Sequence, residues 1–203
     1  KVVLFEKNRK IHSDTWILNI HDQLLVRALD STCAYIESNM KEAKPLFDRY
    51  ANLEYSLNCI KNDGLILEFG VNKGSTINFI ANLVGTDRKV HGFDSFEGLP
   101  EDWKYMADKG IFDLKGVLPQ VRQNVLLHKG LFGNIIPVFL KEYQDPITFL
   151  HIDSDLYSSA KTVLELLNNR IMPGTIIVFD EYYNYEFWKD GEFKAFQEFV
   201  AGN

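Results

Sequence analysis

The stretch that most limits how this 203-residue chain folds is an apolar run stopped by an acid and two glycines. Leu65-Ile66-Leu67-Glu68-Phe69-Gly70-Val71-Asn72-Lys73-Gly74-Ser75 reads as a strand, a tight turn and the opening of a helix. A second strand, ending in Asp94, follows about 20 residues later, the layout of a nucleoside-binding crevice in an open α/β sheet. The expected ligand is therefore nucleotide-like.

The rest of the chain is consistent with one such unit. Helical spacing of Ile17, Ile20, Leu24, Ala28 and Cys33 or Tyr35 predicts a helix from Asp14 to about Ser38, and Leu46, Tyr50, Leu53 and Leu57 predict another from Lys41 to Ile60. After the turn Asn62-Asp63-Gly64, short apolar runs alternate with helical stretches. Strands are predicted at Leu65–Val71, Val90–Phe96, Val125–His128, Ile147–Ile152 and Thr175–Phe179. Helices are predicted at Ser75–Val84, Val117–Gln123, Asn134–Tyr143, Leu156–Asn169 and Gly191–Val200. This alternation implies a doubly wound, mostly parallel α/β sheet with helices on both faces, residues 63–203, preceded by a helical cap, residues 1–62. One sheet edge is expected to be open, with a C-terminal strand pair absent from this chain or supplied by a partner.

Composition excludes several function classes. A formal net charge of -6 with dispersed basic residues lacks the electrostatic footprint of a nucleic-acid binder or a polybasic membrane surface. No apolar stretch is long enough to cross a bilayer, and the start, Lys1-Val2-Val3-Leu4-Phe5-Glu6-Lys7, is charged too early for a secretory segment. Cys33 and Cys59 form no metal-binding or disulfide pattern, which fits a reducing compartment. These features read as a cytoplasmic protein acting on a small molecule, with homo-oligomerisation left open.

Candidate site residues gather at the predicted strand ends. The first turn has the form E-x-G-x-x-x-G; Asn72 and Lys73 fill the place where dinucleotide enzymes keep a glycine for a pyrophosphate, so a ligand without one is favoured. Glu68, Gly70, Val71, Asn72, Gly74 and Ser75 would surround its charged end, Glu68 accepting hydrogen bonds from an ammonium group. Asp94, followed by Ser95, is placed to take two ribose hydroxyls, and His128, Lys129 and Gly130 are placed to line an adenine slot. The fourth and fifth strands deliver His151, Asp153, Asp155, Asp180 and Glu181 near one crevice, where like charges need a cation, a sulfonium or a proton for compensation. An all-oxygen set suits Mg²⁺. Asp155 is expected to cap the following helix, and His151 to be a satisfied buried histidine more than a base. The aromatic tract Tyr182, Tyr183, Tyr185, Phe187 and Trp188 either walls an acceptor pocket or pins the last helix; Trp103 and Tyr105 read as lid or as packing.

Four segments together, Leu67–Ser75, Phe93–Pro100, His151–Ser159 and Pro173–Tyr182, resemble the class I S-adenosylmethionine-dependent methyltransferases, most closely the macrocin O-methyltransferase-like (TylF-like) group. The shared patterns are E-x-G-V-x-x-G-x-S, D-S-F-E-G-L-P, D-x-D-L-Y and P-G-x-I-I-x-D-[DE]-Y. The resemblance implies a Rossmann-like fold, with Glu68, Gly70 and Gly74 around the methionine moiety of the cofactor and Asp94 on its ribose. It also implies Asp153, Asp180 and Glu181 as Mg²⁺ ligands, although relatives usually carry Asp or Asn where this chain has Glu181. A histidine base found later in some relatives has no match after His151, which leaves Asp155, His151 or Glu181 as the fallback base. The implied reaction is methyl transfer to a hydroxyl of a sugar or other small molecule. Two other classes share these strand ends: a non-catalytic S-adenosylmethionine-binding protein and a nicotinamide-dependent oxidoreductase, the latter disfavoured by the missing glycine.

Overall fold

The computed structural model describes residues 9–10, 16–17, 20–104 and 106–202. Two short strands, β1 (Arg9–Lys10) and β2 (Trp16–Ile17), pair antiparallel, and helix α1 (Ile20–Asn39) follows. Ile17, expected in that helix, therefore belongs to a strand, and the predicted start at Asp14 lies outside the described residues. Helix α2 (Arg49–Asn58) begins eight residues later than expected at Lys41. Pro45 bars helical backbone for the residue before it, and the Asp48 side chain caps the true start by accepting the Ala51 N–H at 2.8 Å.

A five-stranded parallel sheet forms the centre. In chain order its strands are β3 (Leu65–Phe69), β4 (Val90–Asp94), β5 (Val125–Lys129), β6 (Ile147–Ile152) and β7 (Ile171–Phe179). Their spatial order is β5-β4-β3-β6-β7, the doubly wound arrangement the sequence predicts, with the switch point beside β3. β7 starts earlier than Thr175 because the Pro173-Gly174 stretch is accommodated as a bulge. The register against β6 jumps between Ile147↔Ile171 and Phe149↔Ile176, and the Thr175 hydroxyl donates to Ile147 O while accepting the Met172 N–H. An edge strand tolerates this proline.

β3 and β6 are buried along their whole length, as strands covered on both faces must be. Alternate residues feed two cores. Leu65, Leu67, Phe69, Phe93, Leu150 and Ile152 pack under α4 (Phe132–Glu142), α5 (Tyr157–Leu167) and α6 (Glu192–Gly202). Ile66, Val90, Phe149 and Val178 pack under α2 and α3 (Ser75–Val84), with Leu53, Ile77 and Ile80. No helix forms at Val117–Gln123, contrary to expectation. Pro119 interrupts the segment, which is instead pinned extended by Asn78, whose side chain donates to Gln120 O and accepts the Arg122 N–H.

The aromatic tract mainly pins helices. Trp188 is buried, donates from Nε1 to Ser31 Oγ of α1 at 2.9 Å and meets Tyr35 and Phe193 edge to face, while Tyr182 contacts Phe193 and Phe196 of α6. None of its members lines the main cavity.

The buried His91 and the half-buried His128 form a pair on the α4 face. Their ring nitrogens are 3.0 Å apart and both rings pack on Phe139 and Tyr143. Burial, then the neighbouring His128, lowers His91 to about 4, and burial lowers His128 as well. Both folded-state values lie below the usual histidine value of about 6.5, so the unfolded chain takes up protons first as pH falls. The pair's contribution is fully present above that value and is lost as pH drops toward 4. Thermal melts at pH 7 and pH 5 should show a larger acid-side loss in wild type than in His91→Phe; equal losses would remove the pair as the cause.

Candidate active site

A cavity of about 530 Å³ opens at the C-terminal edge of the sheet. β3, β4, β6 and β7 each deliver residues to it, because parallel strands end together and their loops splay at the switch point.

The β3 turn supplies Gly70, Val71, Asn72, Lys73, Ser75 and Thr76. Gly70 sits at φ 97°, and a Cβ there would fall 1.6 Å from Asp153 O, so only glycine lets the β3 and β6 loops approach. Gly74, at φ 82°, opens α3. Asn72 also has positive φ, at 46°, and its buried Oδ1 has no hydrogen-bond partner although it lines the cavity. Asp94 is held rigidly at the end of β4. Its Oδ2 accepts the Asn72 N–H and its Oδ1 the Phe96 N–H, both at 2.7 Å, leaving further lone pairs facing the cavity it lines with Ser95. Gly130, Leu131, Phe132 and Gly133 after β5 complete this half, facing Ser158, Ser159 and Thr162 of α5.

Several residues expected at the ligand do not line the cavity. Glu68 is fully buried below the cavity floor, accepting from Thr76 Oγ1 at 3.1 Å and lying 2.9 Å from His151 Nδ1. β3 points it inward, so its carboxylate meets Thr76 and His151 and does not itself line the cavity. His151 is the satisfied buried histidine of the sequence reading. Burial opposes its charge, but Glu68, Asp153 and Asp180 raise its pKa overall. His128 does not line the cavity either, because the alternation of β5 turns it under α4 onto Phe93, stacked at 4.6 Å. Lys129 reaches Gly116 O at 3.0 Å and Glu97 instead.

Asp155 differs from expectation in the opposite direction. The N-cap of α5 is Leu156, without a side-chain cap bond, and Asp155 sits at φ 62° on the cavity wall. It joins Asp153 and Glu181 in a group whose carboxylate oxygens lie within 4.8 Å of one another. Burial first, then neighbouring carboxylates, push all three up: Asp153 to about 7 and Asp155 to about 6 beside Asp180, and Glu181 to about 11 beside Glu192.

Asp180 and Glu181, neighbours just past the end of β7, diverge toward opposite faces. Asp180 turns to the α2 face, where Arg49 pairs with its Oδ2 and lies 3.7 Å from Asp153. Glu181 turns toward α6, where its backbone N–H donates to the buried Glu192 at 3.3 Å. The set Asp153, Asp180 and Glu181 matched to Mg²⁺ is therefore divided between two groups whose ligand atoms lie within 4.8 Å, Asp153 and Asp180 with His151, and Asp153 and Glu181 with Asp155; a guanidinium already lies beside Asp153 and Asp180. With Arg49 in place, the trio as matched offers the ion no single position free of a neighbouring positive charge.

Arg49 was invisible to sequence reasoning, since only tertiary packing carries the first turn of α2 to the β6 and β7 ends. Phe112, Leu131, Ser158 and Thr162 were missed for the same reason. Trp103 lines the cavity and meets Tyr185 edge to face at 6.0 Å; Tyr105 lies outside the described residues. No described helix is long and apolar enough to cross a membrane.

Comparison with known proteins agrees with this architecture. A 4'-O-methyltransferase of a rhamnosyl tetracenomycin from Streptomyces olivaceus is 29% identical over 157 residues, 66% of this chain and 60% of that protein. The match thus spans under two thirds of the curated relative. Among solved structures, the calicheamicin methyltransferase CalS11 superposes with a TM-score of 0.62 at 23% identity, covering 87% of this chain and 81% of that one. The O-methyltransferase NovP gives 0.57 at 21% identity, covering 76% and 71%. At these identities the superpositions establish the fold. The model of the family described as "Methyltransferase domain" matches residues 67–182, which contain every strand-end residue of the cavity from Gly70 to Glu181, and the chain belongs to that family.

Proposed function

We propose that this protein binds S-adenosylmethionine and transfers its methyl group to a hydroxyl of a sugar-bearing small molecule, within the macrocin O-methyltransferase-like group. The observation that carries this reading is Asp94, a carboxylate immobilised by two backbone N–H groups at the edge of a cavity whose far wall is acidic. The unpartnered Asn72 Oδ1 and the glycine-only approach at Gly70 fit the same ligand. The sugar acceptor rests on the similarity to the tetracenomycin enzyme. Helices α1 and α2 form the cap on the acceptor side.

When bound, the cofactor supplies an electrophilic methyl on a sulfonium. Asp94 would hold the ribose hydroxyls, and Gly70, Val71 and Asn72 would shape the adjoining wall. Asp153 would take up the acceptor's hydroxyl proton while the methyl exchanges its bond to sulfur for one to the acceptor oxygen and the thioether product leaves; at about 7, its pKa suits a general base near neutral pH. Trp103 and Phe112 exclude water from the acceptor side.

Calorimetric titration with S-adenosylhomocysteine, followed by transfer of labelled methyl to a panel of glycosides and nucleotide-linked sugars, tests the reading. No binding by folded protein would overturn it; binding without transfer would leave a cofactor-binding protein. With an accepted glycoside in hand, Asp153→Asn should lower turnover by about 100-fold or more while S-adenosylhomocysteine affinity changes little.

A further inference from the structure

We propose that Arg49 is the resident cation of the acidic strand ends, occupying the charge-compensating role between Asp153 and Asp180 so that these carboxylates exclude a divalent ion. The inference stands apart from methyl transfer, since it concerns only which cation the acids hold.

Asp153 and Asp180 end adjacent parallel strands, in line with the pair Ile152↔Phe179, and both emerge on the α2 face. Their side chains are 20% and 10% exposed, too little for water alone to screen two like charges. Arg49 meets both, pairing with Asp180 and lying 3.7 Å from Asp153 Oδ2. It is also mounted rigidly. Asp48 caps the helix start at its backbone, Leu53 one turn on is buried in the α2/α3 core, and Tyr50 packs edge to face on Phe79. The field of Asp180, Asp153 and Glu181 outweighs the cost of burial and keeps the guanidinium charged.

A divalent ion coordinating these oxygens at about 2.1 Å would stand beside the guanidinium without a shared anion to spare. Binding would need Arg49 to be displaced, breaking its pairing. Asp155 has no direct partner in the described ion pairs; its carboxylate lies in the group with Asp153 and Glu181, where Arg49 reaches Asp153 directly and opposes the rise of Asp155 from a distance.

Mn²⁺ serves as the probe, titrated against the full chain and followed by the electron paramagnetic resonance of the free ion. Arg49→Gln and Arg49→Ala should bind Mn²⁺ at least about tenfold more tightly than wild type, the effect of removing one nearby positive charge in a half-buried site. Arg49→Lys should stay near wild type. Equal affinity in wild type and the neutral variants, or no binding in any, overturns the competition. Should the neutral variants fail to fold, wild type still decides: saturable Mn²⁺ binding that Asp153→Asn abolishes overturns the proposal, and its absence supports it. S-adenosylhomocysteine binding, measured on the same samples, separates failure of the cofactor reading from failure of this one.

Discussion

Asp94→Ala should lower affinity for S-adenosylhomocysteine by about 100- to 1,000-fold, corresponding to two hydrogen bonds to a charged group at about 1.5–3 kcal/mol each, partly offset by water. The protein should remain folded, because Asp94 lies at the end of β4 and its loss leaves only the Asn72 and Phe96 N–H groups to rehydrate at the cavity edge. Asp94→Asn separates two contributions. Its amide oxygen can still accept one backbone N–H, while its NH₂ must face either the other N–H or a ribose hydroxyl, so binding should fall between wild type and alanine. Calorimetry reads the affinities, and a melt confirms the fold. Wild-type affinity in the alanine variant would remove the ribose assignment and with it the observation on which the cofactor reading rests.

Gly70→Ala should be the most damaging single methyl group in the chain. Its Cβ would fall 1.6 Å from Asp153 O, with a backbone φ of 97° that L-residues rarely adopt. Neither contact can relax cheaply. The Gly70 N–H is bonded to Phe93 O and the Asp153 N–H to Phe69 O, so separating the loops breaks the ladder at the switch point. Strain of this kind and loss of packing together should cost about 3 kcal/mol or more, enough to lower the melting midpoint by many degrees and abolish cofactor binding. Gly85→Ala is the matched control. It shares a positive φ of 80° but has no atom within 4 Å of the added Cβ, so it carries only the backbone part of the penalty. A comparable loss in both variants would show that conformation, not the β3–β6 approach, sets the cost.

The two strand ends also explain why compensation at this site is divided. Asp180 meets Arg49 on one face of the sheet, while the Glu181 backbone N–H donates to Glu192 on the other, and burial followed by Glu192 pushes the Glu181 carboxyl up to about 11. Glu192 in turn accepts the Ser154 N–H at 3.1 Å and so ties the β6 loop to α6. The acidic wall thus meets one guanidinium at Asp153 and Asp180 and is buried beside Glu192 at Glu181, two different forms of compensation on the two faces.

Local chemistry in the sequence was sufficient for the sheet and its crevice. Apolar runs of five or six residues, each followed by glycine or an acid, determined β3, β4, β5 and β6 and the helix Ser75–Val84, because short-range periodicity and turn residues act within a few positions of themselves. Asp94, Gly70 and Asp153 were legible for the same reason: a strand end in a parallel sheet is a place in the fold as well as in the chain. Tertiary structure alone decided which way side chains face and who meets them. The alternation of β3 buries Glu68 against His151, that of β5 turns His128 under α4, and the divergence past β7 parts Asp180 from Glu181. Arg49 reaches Asp180 across 131 positions of sequence. A contact of that range depends on how α2 settles on α3 and the sheet, a packing equilibrium that no local pattern encodes, and it is this contact that determines which cation the acidic wall holds.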